Sequence, residues 1–260
     1  DFPSSVGAFQ RGLVGLNDGF VARIDADTGA VEWATLLGGD DGNFINPEQV
    51  TALAVDASGN VYVAGFTDAG DFPTTTGALQ EDKAGQTDGF VAKFDAAGAR
   101  VWATYLGGTG DERITDLAVA PNGDVVVTGR TSSVDADPTP FPTTAGALDE
   151  TSNSGFPFND GFVARIAASG AGLVYSTYLG GTRRDEPAVL ALGGDGSVYV
   201  AGLTSSSDFP VTPGAFDETV AGLRNLAALA DAGVRTSVST ITLDVNVHDL
   251  VAMERIGDPR

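Results

Sequence analysis

Short runs of apolar residues follow one another along most of the chain, and their lengths predict strands rather than helices. Each run in the first part of the chain has five to seven residues and is rich in Val, Ile, Phe, Leu and Ala. Asp, Gly, Asn and Ser, the residues of tight turns, separate the runs. The pattern predicts strands at 19–24, 31–37, 51–55 and 60–66.

This strand pattern repeats with a period near 70 residues. Phe-Pro pairs begin at Phe2, Phe72, Phe141 and Phe209, at spacings of 70, 69 and 68. Motifs such as "DGFVAR", "ATYLGG" and "VYVAG" recur between them in a fixed order, which indicates one unit used about three times. The predicted repeats are 1–70, 71–139, 140–207 and the start of a fourth at 208–219.

The third and fourth runs of each unit predict strands that are buried on both faces. "ALAV" and "VYVAG" are apolar on both faces, whereas a one-sided sheet alternates apolar and polar residues. Four antiparallel strands per unit, packed face to face on the next unit, describe a β-propeller blade, with a β-solenoid or an array of sandwiches as alternatives. The fold class is therefore all-β. The residues expected to be buried are Val61, Tyr62, Val63, Val125, Val127, Val198, Tyr199 and Val200.

The repeated "DFPTTTGALQ" segment, residues 71–80, predicts a connection between blades. We expect it to lead from the fourth strand of one blade to the first strand of the next. Phe72 would fill a gap between the blades, and the following Pro would keep the strand from continuing. A recognition loop is the alternative interpretation.

The segment "VYSTYLGGTRRDEPAVLALGGDGSVYVAGLTSSSDFPVTPGAFDET", residues 174–219, resembles the SBBP repeat, a bacterial β-propeller repeat. The resemblance depends on Tyr-Leu-Gly-Gly, Gly-x-Val-Tyr-Val-x-Gly, Thr-Ser-Ser and Asp-Phe-Pro-x-Thr-x-Gly-Ala. It extends over residues 1–219. It implies a propeller architecture and the exterior location of the secreted and surface proteins that carry this repeat. It implies no particular activity.

Beyond residue 219 the repeat stops. The sequence of 220–260 predicts a short helix and then an amphipathic strand at 239–248, in which apolar and polar residues alternate strictly. Because a propeller ring needs about four to eight blades, three blades cannot close one. The divergent segment is therefore a degenerate last blade, or the chain is part of a larger ring, or the strand pairs with a neighbouring chain in self-assembly.

The charge of the chain limits its partners. There are 35 acidic and 14 basic residues, a formal net charge of −21. Such a field repels phosphate backbones, so nucleic acid and anionic membranes are poor partners. We expect other protein chains or surface glycans instead, and an extracellular or cell-surface location. We expect no transmembrane segment, since no apolar stretch approaches 18 residues, and we interpret the chain as a mature or excised part of a longer protein without its signal sequence.

Pairs of acidic residues after the Gly-Gly turns are the candidate metal site. Paired carboxylates beside backbone carbonyls are the oxygen ligands that calcium prefers. Calcium is the one cofactor that the sequence suggests, and an ordinary solvated loop is the alternative. The candidate ligands are Asp40, Asp41, Asp111, Glu112, Asp185 and Glu186.

Two further sets of residues occupy equivalent positions in the repeats. Trp33, Trp102 and Tyr175 align, which favours blade packing over sugar stacking. A second set consists of basic residues, each expected to pair with the Asp that begins its own motif or to form a ring of cations in the channel. The basic residues are Arg23, Lys93 and Arg165, and the acids are Asp18, Asp88 and Asp160.

Catalysis has little support in the sequence, and we predict no catalytic residue. His248 is the only histidine, no Gly-x-Ser-x-Gly elbow is present, and the chain has no cysteine, so neither a Ser-His-Asp triad nor a zinc site is expected. The sequence favours a noncatalytic extracellular propeller module for surface structure or adhesion. The alternative is a polysaccharide-active enzyme or glycan-binding propeller that uses carboxylates in the channel.

Overall fold

The computed structural model describes residues 2–40, 48–154 and 157–211, and these residues form twelve strands and no helix. All strands lie in one compact unit, Asp1–Pro210. The four strands predicted for the first repeat are confirmed to within two residues at either end. They are β1 (Gly19–Ile24), β2 (Val31–Leu37), β3 (Gln49–Val55) and β4 (Val61–Thr67).

The later repeats supply the other eight strands. They are β5 (Asp88–Phe94), β6 (Arg100–Leu106), β7 (Glu112–Val119), β8 (Val125–Thr131), β9 (Asp160–Ile166), β10 (Leu173–Leu179), β11 (Asp185–Leu192) and β12 (Val198–Thr204). The helix predicted after residue 220 and the strand predicted at 239–248 lie outside the described residues.

The strands form two four-stranded and two two-stranded antiparallel sheets. The order β3-β4-β5-β6 makes the first blade, and β7-β8-β9-β10 makes the second blade. The pair β1-β2 is the N-terminal half-blade, and the pair β11-β12 is the C-terminal half-blade. The all-β class and the four-stranded antiparallel sheets agree with the prediction of propeller blades. The described residues do not form a closed ring.

Each four-stranded sheet begins two strands later than the sequence repeat does, at β3 and at β7. Strand β4 pairs with β5 from Val61↔Phe94 to Thr67↔Asp88, so the segment 71–80 joins the second and third strands of one blade. The prediction that this segment crosses between blades is wrong, because a tandem repeat does not reveal which of its strands begins the sheet. The chain instead passes from blade to blade at the Gly-Gly turns after β2, β6 and β10.

Phe72 packs on its own blade, within a buried cluster that also contains Val21, Trp33 and Leu37 of the N-terminal half-blade. Its ring centroid lies 4.6 Å from that of Phe90 on β5 and 5.6 Å from that of Tyr105 on β6. Its backbone N–H donates to the Tyr105 hydroxyl over 3.0 Å. Phe141 repeats this arrangement in the second blade. The Phe of the Phe-Pro pair therefore fixes the loop to the third and fourth strands of its own sheet.

Neighbouring blades contact one another along their first strands. The Thr51 hydroxyl on β3 donates to the backbone carbonyl of Ile114 on β7 over 2.7 Å. The Thr115 hydroxyl on β7 donates to the carbonyl of Pro187 on β11 over the same distance. These contacts make β3, β7 and β11 the inner strands of the blade series.

The aligned tryptophans connect the blades at the opposite edge. The Trp33 indole N–H on β2 donates to the Ala96 carbonyl over 3.1 Å, and the Trp102 indole on β6 donates to the Ala168 carbonyl over 3.0 Å. Each acceptor lies in the turn between the third and fourth strands of the next blade. Both indole rings are buried, whereas Tyr175 is half-buried. The expectation of blade packing is confirmed for the two tryptophans.

Burial of the "VYVAG" strand differs among the three copies. Every residue of β4 is buried, and β8 is buried except at Arg130. In β12 no residue is buried, and Tyr199 is 62% exposed where Tyr62 is 0% exposed. The prediction that Val198, Tyr199 and Val200 are buried is therefore wrong, because their sheet has two strands among the described residues rather than four.

Candidate functional site

In two of the predicted pairs of acids after the Gly-Gly turns, one acid is buried and its neighbour is not. Successive side chains of a strand point to opposite faces, so two adjacent acids cannot converge on one ion from a strand. Glu112, the first residue of β7, is fully buried, and its neighbour Asp111 is exposed. Asp185, the first residue of β11, is buried, and its neighbour Glu186 is partly exposed.

Glu112 is held by three hydrogen bonds inside the protein. Its carboxylate accepts the backbone N–H of Gly108 over 2.9 Å, the Thr131 hydroxyl over 2.5 Å and the Ser133 hydroxyl over 2.7 Å. Burial raises the pKa of Glu112 to about 7 although these bonds lower it, and the Asp88 carboxylate adds to the rise. A carboxyl group in this setting takes up a proton near neutral pH.

Each buried acid at the start of an inner strand faces an Asp of the preceding blade or half-blade. A Cβ atom on Gly107 would lie 2.5 Å from Glu112 Oε2 and 3.0 Å from Asp88 Oδ2, so this glycine fits between the two carboxyl groups. Gly180 lies in the same way beside Asp160 and Asp185. The interblade carboxyl pairs, as we name them, are Asp18 with Glu48, Asp88 with Glu112, and Asp160 with Asp185.

Burial perturbs the other interblade carboxyl pairs in the same direction. It raises the pKa of Glu48, Asp88 and Asp160. The carboxylate of the pair partner adds to the rise at Glu48 and Asp160, as expected for like charges at close range. The pairs therefore form a repeated acidic feature between blades.

The described residues contain no group of three or more His, Asp or Glu side chains that could hold a metal ion. Three carboxylate oxygens, Glu48 Oε2, Asp160 Oδ1 and Asp185 Oδ1, are nevertheless buried without a hydrogen-bond partner in the described part of the chain. Asp41 lies outside the described residues. Calcium at the Gly-Gly turns stays a prediction.

Of the remaining candidate acids, Asp40 and Asp111 form hydrogen bonds through their backbone, and Glu186 forms ion pairs through its carboxylate. The backbone N–H of Asp40 donates to Asp71 over 2.7 Å, while that of Asp111 donates to the Ser132 hydroxyl over 2.8 Å. Glu186 forms ion pairs with Arg184, over 2.7 Å, and with Arg130.

The three repeated basic residues have partners other than the expected ones. Arg23 pairs with Glu32 over 2.5 Å, and Arg165 pairs with Asp124 over 2.9 Å. The Lys93 ammonium lies 4.9 Å from the centroid of the Tyr62 ring. The expected acids stand five residues away along the strand, about 16 Å, too far for an ion pair. Lys93 and Arg165 lie on the third strands of their blades, and Arg23 lies on β1 of the N-terminal half-blade, whereas β3, β7 and β11 are the inner strands.

A groove between the inner strands was not predicted from the sequence. Its volume is about 540 Å³, and Ile114, Pro187 and Leu203 form part of its apolar wall. Arg113 and Arg130 also line it, and the Arg113 guanidinium lies 4.4 Å from the centroid of Phe66. One feature of the sequence could have indicated this groove. Arg113 and Arg130 occupy repeat positions at which the first copy has no basic residue.

The part of the chain that the structure describes has no helix long and apolar enough to cross a membrane. Residues 32–73, which run from β2 through β4 to the Phe72-Pro73 pair, match the family model SBBP, described as a beta-propeller repeat.

The chain is also similar to the regulatory protein FlaEY of Caulobacter vibrioides, with 33% identity over 130 residues. The alignment covers 50% of this chain and 13% of that protein, so the chain corresponds to a small part of its relative. The family model confirms the resemblance to the SBBP repeat over residues 32–73.

Proposed function

We propose that this chain is a noncatalytic β-propeller module at the cell surface or in the extracellular medium, where it serves as a structural scaffold or an adhesion and interaction domain. The observation that carries the proposal is the use of the repeated aromatic residues in packing. Trp33 and Trp102 are buried, and each donates its indole N–H to the backbone of the next blade. A glycan-binding cleft needs such rings at its surface.

The arrangement of the carboxyl groups supports the same function. An acid–base pair for glycoside hydrolysis must reach its substrate, with its carboxyl groups about 5 to 10 Å apart. Glu112 and Asp88 have the perturbed pKa values typical of such a pair, but both side chains are fully buried between blades. A polysaccharide would have no access to them without separation of the blades.

The groove between the inner strands supports protein partners. It combines an apolar wall with Arg113 and Arg130, a composition typical of protein interfaces, in which arginine and apolar residues are enriched. The similarity to a protein named as regulatory is in keeping with a binding role rather than a catalytic one. The net charge of −21 suits a soluble exterior module and disfavours nucleic-acid partners.

Two measurements test the proposal. Protease treatment of intact producing cells should remove an epitope inserted at the exposed residue Ser58, and the purified chain should release no reducing sugar from cell-surface polysaccharides. An epitope that is cleaved only after cell lysis would contradict the surface location. Release of sugar that is abolished in Glu112→Gln, but not in the exposed control Asp82→Asn, would contradict the noncatalytic role.

A further inference from the structure

The two half-blades present strand edges whose sequences already pair elsewhere in the molecule. Strand β12, "VYVAGLT", is identical to β4, "VYVAGFT", at all but one position. Strand β1, "GFVARI", is identical to the last six residues of β9, "DGFVARI". Strands of these two kinds form the β4–β5 and β8–β9 ladders, and both ladders have the same register. The edges of β12 and β1 that pair with no other described strand are therefore complementary.

The side chains on these strands are exposed where their counterparts are buried. Phe20 on β1 is 59% exposed, whereas Phe90, its counterpart on β5, is 0% exposed. Tyr199 and Leu203 on β12 show the same contrast with Tyr62 and Phe66 on β4. Exposed apolar edge strands with unpaired backbone groups favour pairing with another strand.

The aromatic contact between blades gives an independent indication. Trp33 covers the turn at Gly98, and Trp102 covers the turn at Gly170, where an added Cβ would lie 2.7 Å and 2.5 Å from the indole rings. At Gly29, the equivalent turn of the N-terminal half-blade, no described atom lies within 4 Å of such a Cβ. Tyr175, the equivalent aromatic of the second blade, is half-buried. Among the described residues, the turn at Gly29 therefore has no aromatic ring over it, and the ring of Tyr175 has no such turn beneath it. These two positions lie at opposite ends of the blade series.

We infer that two copies of this chain assemble head to tail, the N-terminal half-blade of each copy completing the C-terminal half-blade of the other. In the register of the two observed ladders, Val198 pairs with the partner's Ile24, and Thr204 pairs with the partner's Asp18. Each composite blade then has four strands in the order β11-β12 followed by β1-β2 of the partner. The aromatic ring of Tyr175 covers the turn at the partner's Gly29.

The number of blades favours a second copy over closure within one chain. Pairing of β12 with β1 of its own chain would close a ring of three blades from the described strands, fewer than the roughly four that propellers need. The described strands of two copies supply four complete blades and two composite ones, and a six-bladed ring lies within the range of about four to eight. The two composite contacts are equivalent by a twofold axis, so the ring closes without leaving a free edge.

The sequence of residues 239–248 makes it a poor third strand for β12. The third strand of a complete blade is apolar on both faces, and only one residue in each of β5 and β9 is less than fully buried. Residues 239–248 instead alternate apolar side chains with Thr, Asp, Asn and His. Strand β1 has the "GFVAR" sequence found in the third strand β9, whereas residues 239–248 do not.

The absence of cysteine from the chain allows a crosslinking test. Full-length Ala22→Cys and Val200→Cys variants, with different affinity tags, are produced in the same cells and exposed to a mild oxidant. These positions are opposite each other in the inferred ladder, as Val63 is opposite Ala92 in the observed one. The control pairs Ala22→Cys with Ser58→Cys, since Ser58 is an exposed turn residue.

The inference predicts a disulfide-linked dimer carrying both tags from the first pair, at least tenfold more abundant than from the control pair. It also predicts that light scattering of the unmodified chain gives about twice its mass of 26.4 kDa. A single-chain mass without mixed dimers overturns the inference. An intramolecular disulfide in an Ala22→Cys/Val200→Cys double variant also overturns it. If a variant of the first pair does not fold, the pair Ile24→Cys and Val198→Cys replaces it. A two-chain mass with no disulfide from either pair likewise overturns the inference.

Discussion

Strands β4 and β12 have nearly the same sequence and very different surroundings. In the first blade, Tyr62 packs edge-on against Trp102, with 6.4 Å between the ring centroids, and its hydroxyl donates to Asp56 over 3.2 Å. In the C-terminal half-blade, Tyr199 is 62% exposed. The difference shows that burial in this fold is set by the neighbouring strands and blades and not by the sequence of the strand alone.

The largest expected effect comes from truncating the same aromatic residue in the two settings. Tyr62→Ala should lower the free energy of unfolding by about 3–5 kcal/mol, because a buried ring and its contacts are lost. Tyr199→Ala should lower it by less than about 1 kcal/mol, since its ring is largely hydrated. Urea denaturation of dilute protein measures both values. Equal losses would contradict the difference in environment between the two blades.

A smaller effect is expected at the turns beneath the aromatic rings. Gly170 and Gly29 have φ values of +73° and +70°, so alanine costs about 1–2 kcal/mol at either position. At Gly170 the new methyl group must also displace Trp102, which adds about 1–3 kcal/mol of overpacking.

Thermal unfolding of Gly170→Ala and Gly29→Ala at low protein concentration separates the two contributions. The same loss of stability in both variants would show that the indole does not press on the turn. An additional loss of stability in Gly29→Ala that appears only at high protein concentration would support the inferred dimer, since the dimer places the partner's Tyr175 over this turn.

The interblade carboxyl pairs predict a dependence of stability on pH. The pKa of Glu112 is about 7 in the folded chain and has an ordinary value of 4.5, so the folded state binds more protons between these values. Stability should therefore fall as the pH rises from 4.5 to 7, by on the order of 2 kcal/mol for this group, and then level off. Glu112→Gln should flatten that part of the profile.

Urea titrations at several pH values check this prediction, with the exposed Asp82→Asn as the control that keeps the full slope. Glu48, Asp88 and Asp160 contribute in the same direction, so part of the slope should remain in Glu112→Gln. A profile whose stability rises with pH over this interval would refute the assignment of Glu112 as a proton-binding group.

The smallest expected effect concerns calcium. If the cation binds beside the unpartnered oxygens of Asp160 and Asp185, millimolar calcium should stabilise the chain by about 1 kcal/mol through mass action, and EDTA should reverse this. Asp185→Asn should abolish the response, while Asp195→Asn, in an exposed turn, should keep it. Melting curves that do not change with calcium would end the calcium prediction.

The strands were predictable from the sequence because the information for them is local. A run of five to seven apolar residues between Asp-Gly turns defines a strand without reference to the rest of the chain, and β1 and β2 agree with the prediction at both ends. The SBBP resemblance was visible for the same reason. Trp33 and Trp102 were recognised as packing residues from their common position in the repeat.

The arrangement of the strands in sheets was not predictable in this way. Strand β4 lies between β3 and β5 in its sheet, and a tandem repeat gives no sign of where the sheet begins. The interblade carboxyl pairs were missed because Asp88 and Glu112 are distant in sequence and belong to different blades. Neighbouring acids such as Asp111 and Glu112 were grouped instead, although Glu112 is buried and Asp111 is exposed.

The central claim, that a second copy completes the half-blades, is tested most directly by hydrogen exchange at several protein concentrations. The account predicts that amide protection in β1 and β12 rises together, at least tenfold, as the dimer forms, while protection in β4 stays constant. Protection in β12 that equals that of β4 at every concentration, or that stays low at the highest one, would contradict it.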